Sequence, residues 1–251
     1  MKSYKNFTIH QFEEIDSTNS HAFNLVKSNK AFDREVVVAD EQSSGRGRMD
    51  RKWKSTPGNL FCSIIVKPQI LKITSHGAHK LSFLAILALS EAVSAINKNE
   101  ANKIQLKWPN DLLINGKKVS GILLESHFLG DFVDFAIIGV GVNIVDHPQN
   151  TLFEATSLFG EGIETNRDGF LEIFLDEFDK LYEFTEKFGF DEAFKNIRKS
   201  WLKNAYKLNE KVEVNLGKER ISGILEDIDK DGSMVLRQNS EKIIISFGDV
   251  C

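Results

Sequence analysis

Leu112-Leu113-Ile114-Asn115-Gly116-Lys117-Lys118-Val119-Ser120-Gly121-Ile122-Leu123-Leu124-Glu125 is the stretch on which the fold turns. An Asn-Gly pair between two apolar runs is the strongest short hairpin signal, because such turns demand positive φ at both central residues. Upstream, Ile104-Gln105-Leu106-Lys107-Trp108-Pro109-Asn110-Asp111 alternates as a strand that stops at the proline. Downstream, Phe132 to Asn143 reads as another strand, ending Ile138-Gly139-Val140-Gly141-Val142-Asn143. Glu35 to Ala39 and Asn59 to Val66 carry the same signal. Leu81, Leu84, Ala85, Ala88, Ala92 and Ile96 recur at three and four residues, one helical face from about His76 to Asn97. Asp16-Ser17-Thr18-Asn19 is a cluster of capping residues ahead of an apolar run and marks a helix start.

Positions 147–165 are rich in turn residues and lack a period, a loop length often reserved for function. Helical spacing returns from Asn166, where Phe170, Ile173, Phe174, Phe178, Leu181, Tyr182 and Phe188 form an aromatic stripe read as a buried face. A second helix is expected over Asp191 to Lys203. Four short strand signals then fall within about forty residues, with turns at Asp231-Gly232 and Asn239-Ser240. The expected architecture is α+β: a mixed-sheet domain over 1–204 with helices packed on it, and a small β-barrel over 205–251.

The chain has 251 residues, 41% of them hydrophobic, enough for one sizeable core and a small second domain. Its formal net charge is -4, whereas general nucleic-acid binders more often carry a basic domain. Cys62 and Cys251 show no metal-like spacing and are read as two free thiols in a reducing cytoplasm. The N-terminus lacks an apolar signal core, and no apolar run is expected to reach the ~18 residues that span a bilayer. The expected protein is soluble and intracellular, without a membrane partner.

Against that acidic background stands Gly45-Arg46-Gly47-Arg48-Met49-Asp50-Arg51-Lys52-Trp53-Lys54. Arg and Lys are almost never fully buried unless paired, so this loop faces solvent or an anion. Its glycines allow close backbone approach, and guanidinium forks match phosphate or carboxylate oxygens. Lys107, Lys118, Asn110 and Asn143 sit at other strand ends or turns, Trp53 offers a flat face for a base, and carboxylates are scarce. Such an inventory suits electrostatic stabilisation of transferring phosphate oxygens, not paired-carboxylate hydrolysis. Gly139-Val140-Gly141 lacks the third glycine and following helix of a dinucleotide fingerprint. Plain structural roles stay open: Ser17 as a helix cap, Lys107 as a solvated strand residue, Trp108 as core, Asn143 as a strand end. The histidines show no metal-ligand spacing.

Gly45-Arg46-Gly47-Arg48 with Arg51-Lys52-Trp53, then Lys107-Trp108-Pro109-Asn110-Asp111, then Lys118-Val119-Ser120-Gly121-Ile122-Leu123-Leu124-Glu125 occur here in the order and approximate spacing of biotin protein ligases. Asp16-Ser17-Thr18-Asn19 and Gly139-Val140-Gly141-Val142-Asn143 complete the resemblance, which covers nearly the whole chain. It implies a class II synthetase-like biotin/lipoate ligase fold with an SH3-like C-terminal barrel. It also implies a two-step, ATP-dependent reaction. The carboxylate of biotin attacks the α-phosphate of ATP to give biotinyl-5′-AMP, and a lysine of a biotin carboxyl carrier protein then takes the biotin.

Matched position by position, the resemblance gives Ser17, Thr18, Asn19, Gln42, Arg46, Gly47, Arg48, Lys118 and Gly121 to biotin. It gives Arg48, Arg51, Trp53, Lys107, Asn110, Lys118 and Asn143 to ATP. Lys118, Arg48 and Asp111 take the catalytic roles: Lys118 bridges the two reacting anions and Arg48 restrains release of the intermediate. For Asp111 two roles stay open, aiding Mg²⁺ or drawing a proton from the incoming lysine. The basic loop is expected to be mobile when empty and ordered over the adenylate. Many relatives carry glycine at the position of Asp50, so an acidic residue there should alter loop closure. Many bacterial relatives also carry a winged helix-turn-helix ahead of the ligase domain. With Asp16 so near the start, a ligase that does not repress transcription is expected. Oligomeric state is left open, a homodimer through sheet edges among the options. The rival readings are a lipoate–protein ligase of the same fold and a nucleic-acid-binding module built on the Arg-Gly loop.

Overall fold

The computed structural model describes residues 1–251 except positions 29, 50, 69, 70, 150, 152, 218 and 251. Asp50 and Cys251, and the expectations placed on them, lie outside the described residues. Eight strands form one mixed sheet: β1 (Lys2–Tyr4), β2 (Phe7–Ile15), β3 (Glu35–Gln42), β4 (Leu60–Val66), β5 (Ile104–Lys107), β6 (Asp111–Ile114), β7 (Lys117–Leu129) and β8 (Phe132–Val142). Their order is β1-β2-β3-β4-β8-β7-β6-β5. Only β2 and β3 run parallel, joined by α1 (Thr18–Lys27). β1 and β2 are not among the strands expected from the sequence. β2 buries Phe7 and Ile9 but shows Gln11, Glu13 and Glu14 to solvent, which weakens its period. Asn115 (φ 53) and Gly116 (φ 79) make the expected hairpin turn between β6 and β7.

Side chains alternate across the sheet, as the period of two requires. Val36, Val38, Cys62, Ile64, Ile138 and Val140 face the main core, with helices α2 (Lys80–Ile96), α3 (Arg167–Phe188) and α4 (Phe190–Lys203). Val37, Ile65, Phe135 and Ile137 face the other way, under Ala22 and Val26 of α1. Of the aromatic stripe, Phe170, Phe174, Phe178 and Tyr182 are buried, while Phe188 lies past the covered surface and is exposed. Burial pushes the Cys62 thiol up to about 12. One expectation needs correcting: Ser75–Ile96 is long and apolar enough to cross a membrane. Its most apolar window is 72% buried inside the fold, because this helix is the core's central element.

The C-terminal unit is an antiparallel sheet of β9 (Lys211–Asn215), β10 (Arg220–Ile228), β11 (Met234–Gln238), β12 (Glu241–Ile245) and β13 (Asp249–Val250), in the order β12-β11-β10-β9-β13. The two-residue β13 is too short to leave a pattern in the sequence. This unit meets the larger one at the Asp231-Gly232 turn. Trp108 Nε1 donates to the Gly232 carbonyl at 3.1 Å, and Lys80 pairs with Asp231 at 3.7 Å.

His79 Nε2 is buried in that seam without a hydrogen-bond partner among the described residues. Burial holds its pKa below the ordinary 6.5. As pH falls through that value, the unfolded chain binds the proton first, so stability drops and the loss levels off once the folded imidazole protonates too. Urea unfolding at about pH 8 and about pH 5 should show the drop, and His79→Gln should lessen it. Equal drops in both proteins would remove His79 from the acid response.

Candidate active site

A cleft of about 350 Å³ opens on the α1 side of the sheet. Three local features shape it. At one end, Ser17 caps α1 and its side chain accepts from the Ser20 amide. The Thr18 amide and hydroxyl both donate to Gln42 Oε1, at 2.9 and 3.1 Å. Ser63 Oγ donates to Asn19 Oδ1 at 2.6 Å, and Asn19 Nδ2 donates to Glu125 Oε2 at 2.7 Å. These ties hold a row of small polar groups against the sheet. Gly139 makes room for it, since a Cβ there would lie 2.2 Å from Asn19 Oδ1.

The second feature is the basic loop, which folds back as a small hairpin. Trp53 N–H donates to the Gly45 carbonyl at 2.9 Å and Gly47 N–H to the Arg51 carbonyl at 2.6 Å. Arg46 reaches Glu125 at 3.1 Å. Arg48 Nη1 donates to Asn110 Oδ1 at 3.1 Å and to Asp249 Oδ1 at 3.0 Å. Burial draws the pKa of Arg48 below its ordinary value, opposed by the charges of Asp249 and Asp111. The Trp53 ring packs against Gly141, where a Cβ would sit 2.5 Å from it. The Gly139-Val140-Gly141 signal is thus two close approaches on one strand face.

The third feature is Lys118. Lys118 lies opposite Leu113 on β6, beside the bulge made where the β6–β7 register shifts between Leu112 and Leu113. Its N–H donates to the Glu154 carbonyl at 2.8 Å, and its carbonyl accepts from Thr156 at 2.9 Å. Lys118 Nζ then pairs with Asp111 Oδ1 at 2.6 Å and lies 5.5 Å from the centre of the Trp53 ring. Gly121 faces the pair, where a Cβ would meet Lys118 Nζ at 3.1 Å.

Ser17, Thr18, Asn19, Gln42, Arg46, Gly47, Arg48, Arg51, Trp53, Asn110, Asp111, Lys118, Gly121 and Asn143 all line this one cleft. Asn143 is buried, and its amide donates to the Thr156 carbonyl at 3.0 Å. Lys107 is the departure: it stands behind the wall, buried, with Nζ 3.5 Å from the centre of the lining ring of Phe153. It is therefore not a solvated strand residue. Trp108 is buried, as core. Ser63, Glu125 and Asp249 were absent from the expected site. Ser63 had a signal as a lone hydroxyl in the apolar run Leu60-Phe61-Cys62-Ser63-Ile64-Ile65-Val66, and Glu125 as the last residue of the motif that begins at Lys118; Asp249 had none.

Among the described lining residues, Arg46, Arg48, Arg51, Lys52, Lys54 and Lys118 bring positive charge and Asp111 is the one carboxylate, while Glu125 pairs with Arg46, and Asp249 with Arg48 and Arg51, from outside the lining. Such a field suits neutralising two anions that must be brought together. Two family models match: Biotin/lipoate A/B protein ligase family over residues 11–143, and Biotin protein ligase C terminal domain over residues 207–251. The chain belongs to the biotin/lipoate A/B protein ligase family.

Its relatives include a biotin–[acetyl-CoA-carboxylase] ligase of Paracoccus denitrificans, 34% identical over 94% of this chain and 96% of the relative. The bifunctional ligase/repressor BirA of Bacillus subtilis is 33% identical over 90% of this chain and 68% of its own length. Among solved structures, the biotin protein ligase from Aquifex aeolicus in complex with biotin and ATP superposes with a TM-score of 0.80. It is 27% identical and matches 97% of each chain.

Proposed function

We propose that this chain is an ATP-dependent biotin–protein ligase acting on the biotin carboxyl carrier domain of a biotin-dependent carboxylase. The observation that carries the reading is the convergence of loop cations and Lys118 on one cleft whose far wall is the polar row at the start of α1. In the first step the biotin carboxylate attacks the α-phosphate of ATP, giving biotinyl-5′-AMP and pyrophosphate. In the second, the ε-amine of the carrier lysine attacks the mixed anhydride and releases AMP. Ser17, Thr18, Asn19 and Gln42 hold the biotin head group. Lys118 stands where carboxylate and α-phosphate meet, and its ammonium stabilises the charge that builds during attack. Trp53 and Asn143 serve the adenine, and Arg48, Arg51 and Asn110 face the phosphates and ribose side. Lys107 acts from behind Phe153, shaping that wall.

Mg²⁺ is the metal this reaction implies. It is ordinarily held by one or two carboxylates together with substrate phosphates, not by an all-protein cage. The lining fits that limited demand, with Asp111 as its carboxylate and no cluster of three metal-ligating side chains among the described residues. When bound with the nucleotide, the ion adds positive charge at the phosphates. The need for ATP and the free thiol of Cys62 fit a cytoplasmic setting.

Biotin-dependent ATP–pyrophosphate exchange tests this reading. Exchange with biotin is expected; exchange only with lipoate would transfer the chain to the sister activity. Salt-steep binding to random oligonucleotides with no exchange would support a nucleic-acid role instead. A further expectation concerns the glycine beneath Asn19. Gly139→Ala should weaken biotin binding by about tenfold, roughly 1.4 kcal/mol, in isothermal titration. Unchanged affinity would show that Asn19 can give way without cost.

A further inference from the structure

We infer that Asp249, on the last strand of the C-terminal sheet, is a positioning residue for the basic loop: its carboxylate holds Arg48 and Arg51 at the cleft mouth. Asp249 Oδ1 accepts from Arg48 Nη1 at 3.0 Å, and Oδ2 accepts from Arg51 Nη2 at 2.6 Å. The adjacent Gly248 carbonyl accepts from Arg48 Nη2 at 3.2 Å. Arg51 Nε turns back to the Arg48 carbonyl at 3.0 Å, so both guanidinium groups are fixed relative to one another.

The anchor beneath them is firm. In β13, Asp249 pairs with Asn215 and Val250 with Val214, and the Val250 side chain is buried. Gly248 adopts φ +130°, and a Cβ there would lie 2.9 Å from the Asn215 carbonyl oxygen, so only glycine seats this turn without strain. The loop tip is less well held. Among the described residues, hydrogen bonds from Arg48 and Arg51 to the rest of the protein go to Asn110, Gly248 and Asp249. Two of those three acceptors belong to the C-terminal unit, Asp249 in β13 and Gly248 in the turn before it.

The side chains of Asp249 and Arg48 are 16% and 23% exposed, so their charge-assisted bond is shielded more than an open surface pair. Arg48 Nη1 divides its bonds between Asn110 of the larger unit and Asp249 of the smaller one. The loop, the start of β6 and β13 therefore meet at one guanidinium. In this arrangement the C-terminal sheet keeps the loop over the cleft, and retention of an activated intermediate depends on the carboxylate at 249. The functional half of this inference rests on the ligase reading, whereas the structural half does not.

The test uses the full chain and Asp249→Asn, Asp249→Glu and Asp249→Ser. Hydrogen exchange of loop amides 45–54 is measured without ligands, and escape of adenylate is measured with biotin and ATP but no acceptor. Asp249→Asn is expected to speed loop exchange and adenylate escape about tenfold each. It should raise KM for ATP while leaving kcat of pyrophosphate exchange within about threefold. Asp249→Glu should recover most of both. Should the Asn variant fail to fold, Asp249→Ser gives the same readouts. Unchanged loop exchange and escape would overturn the inference. A lowered KM for ATP would also overturn it, by making Asp249 a competitor of the phosphates. A parent chain that forms no adenylate would sink the ligase reading, and loop exchange alone would then decide the role of Asp249.

Discussion

Lys118→Ala is expected to lower biotinyl-adenylate formation at least ~100-fold, about 2.7 kcal/mol of transition-state stabilisation. The magnitude follows from the site. Lys118 Nζ is pre-placed by Asp111, 2.6 Å away, so no reorganisation is needed when charge develops. An ammonium held in this way acts in the partly dehydrated floor of the cleft, where the same charge counts for more than in water. Removing it also leaves Asp111 unpaired beside the incoming anions, which adds repulsion. Single-turnover formation of the adenylate is the measurement, with thermal melting to establish that the variant folds. A folded variant with near-parental rates would remove Lys118 from the chemistry.

Arg48→Gly is expected to leave the adenylate poorly held. The guanidinium ties the loop to Asn110, Gly248 and Asp249 at once, and glycine severs all three ties while adding backbone freedom. The mixed anhydride then meets water and stray amines before the carrier arrives. Escape into solution should rise about a hundredfold, roughly 2.7 kcal/mol of lost retention, and bystander proteins in the same tube should become biotinylated. Labelling confined to the carrier would contradict the retention role.

How much of this was legible beforehand depended on the range of the interaction. The hairpin at Asn115-Gly116 and the cap at Ser17 are local, and local chemistry writes them into adjacent residues. The aromatic face of α3 was legible through its period. β2 was not, because one side of it meets solvent and its polar residues break the alternation. The cleft residues were legible as five separate motifs and as a family resemblance. That Gly139 and Gly141 serve Asn19 and Trp53 needed the fold, since the partners come from distant elements. Asp249 left no trace at all. Its partners lie about two hundred positions away, and an aspartate near the chain's last residues has no pattern of its own.

The central claim is that side chains from the loop, β6 and β7 come together so that two mutually repelling anions can react. A crystal structure of the chain with biotinyl-5′-AMP tests it most directly. Lys118 Nζ should lie within hydrogen-bond reach of the acyl-phosphate oxygens, with Arg48 closing over the same group and the biotin head beside Thr18 and Asn19. An adenylate bound elsewhere, or one in this cleft with Arg48 and Lys118 both turned to solvent, would contradict it.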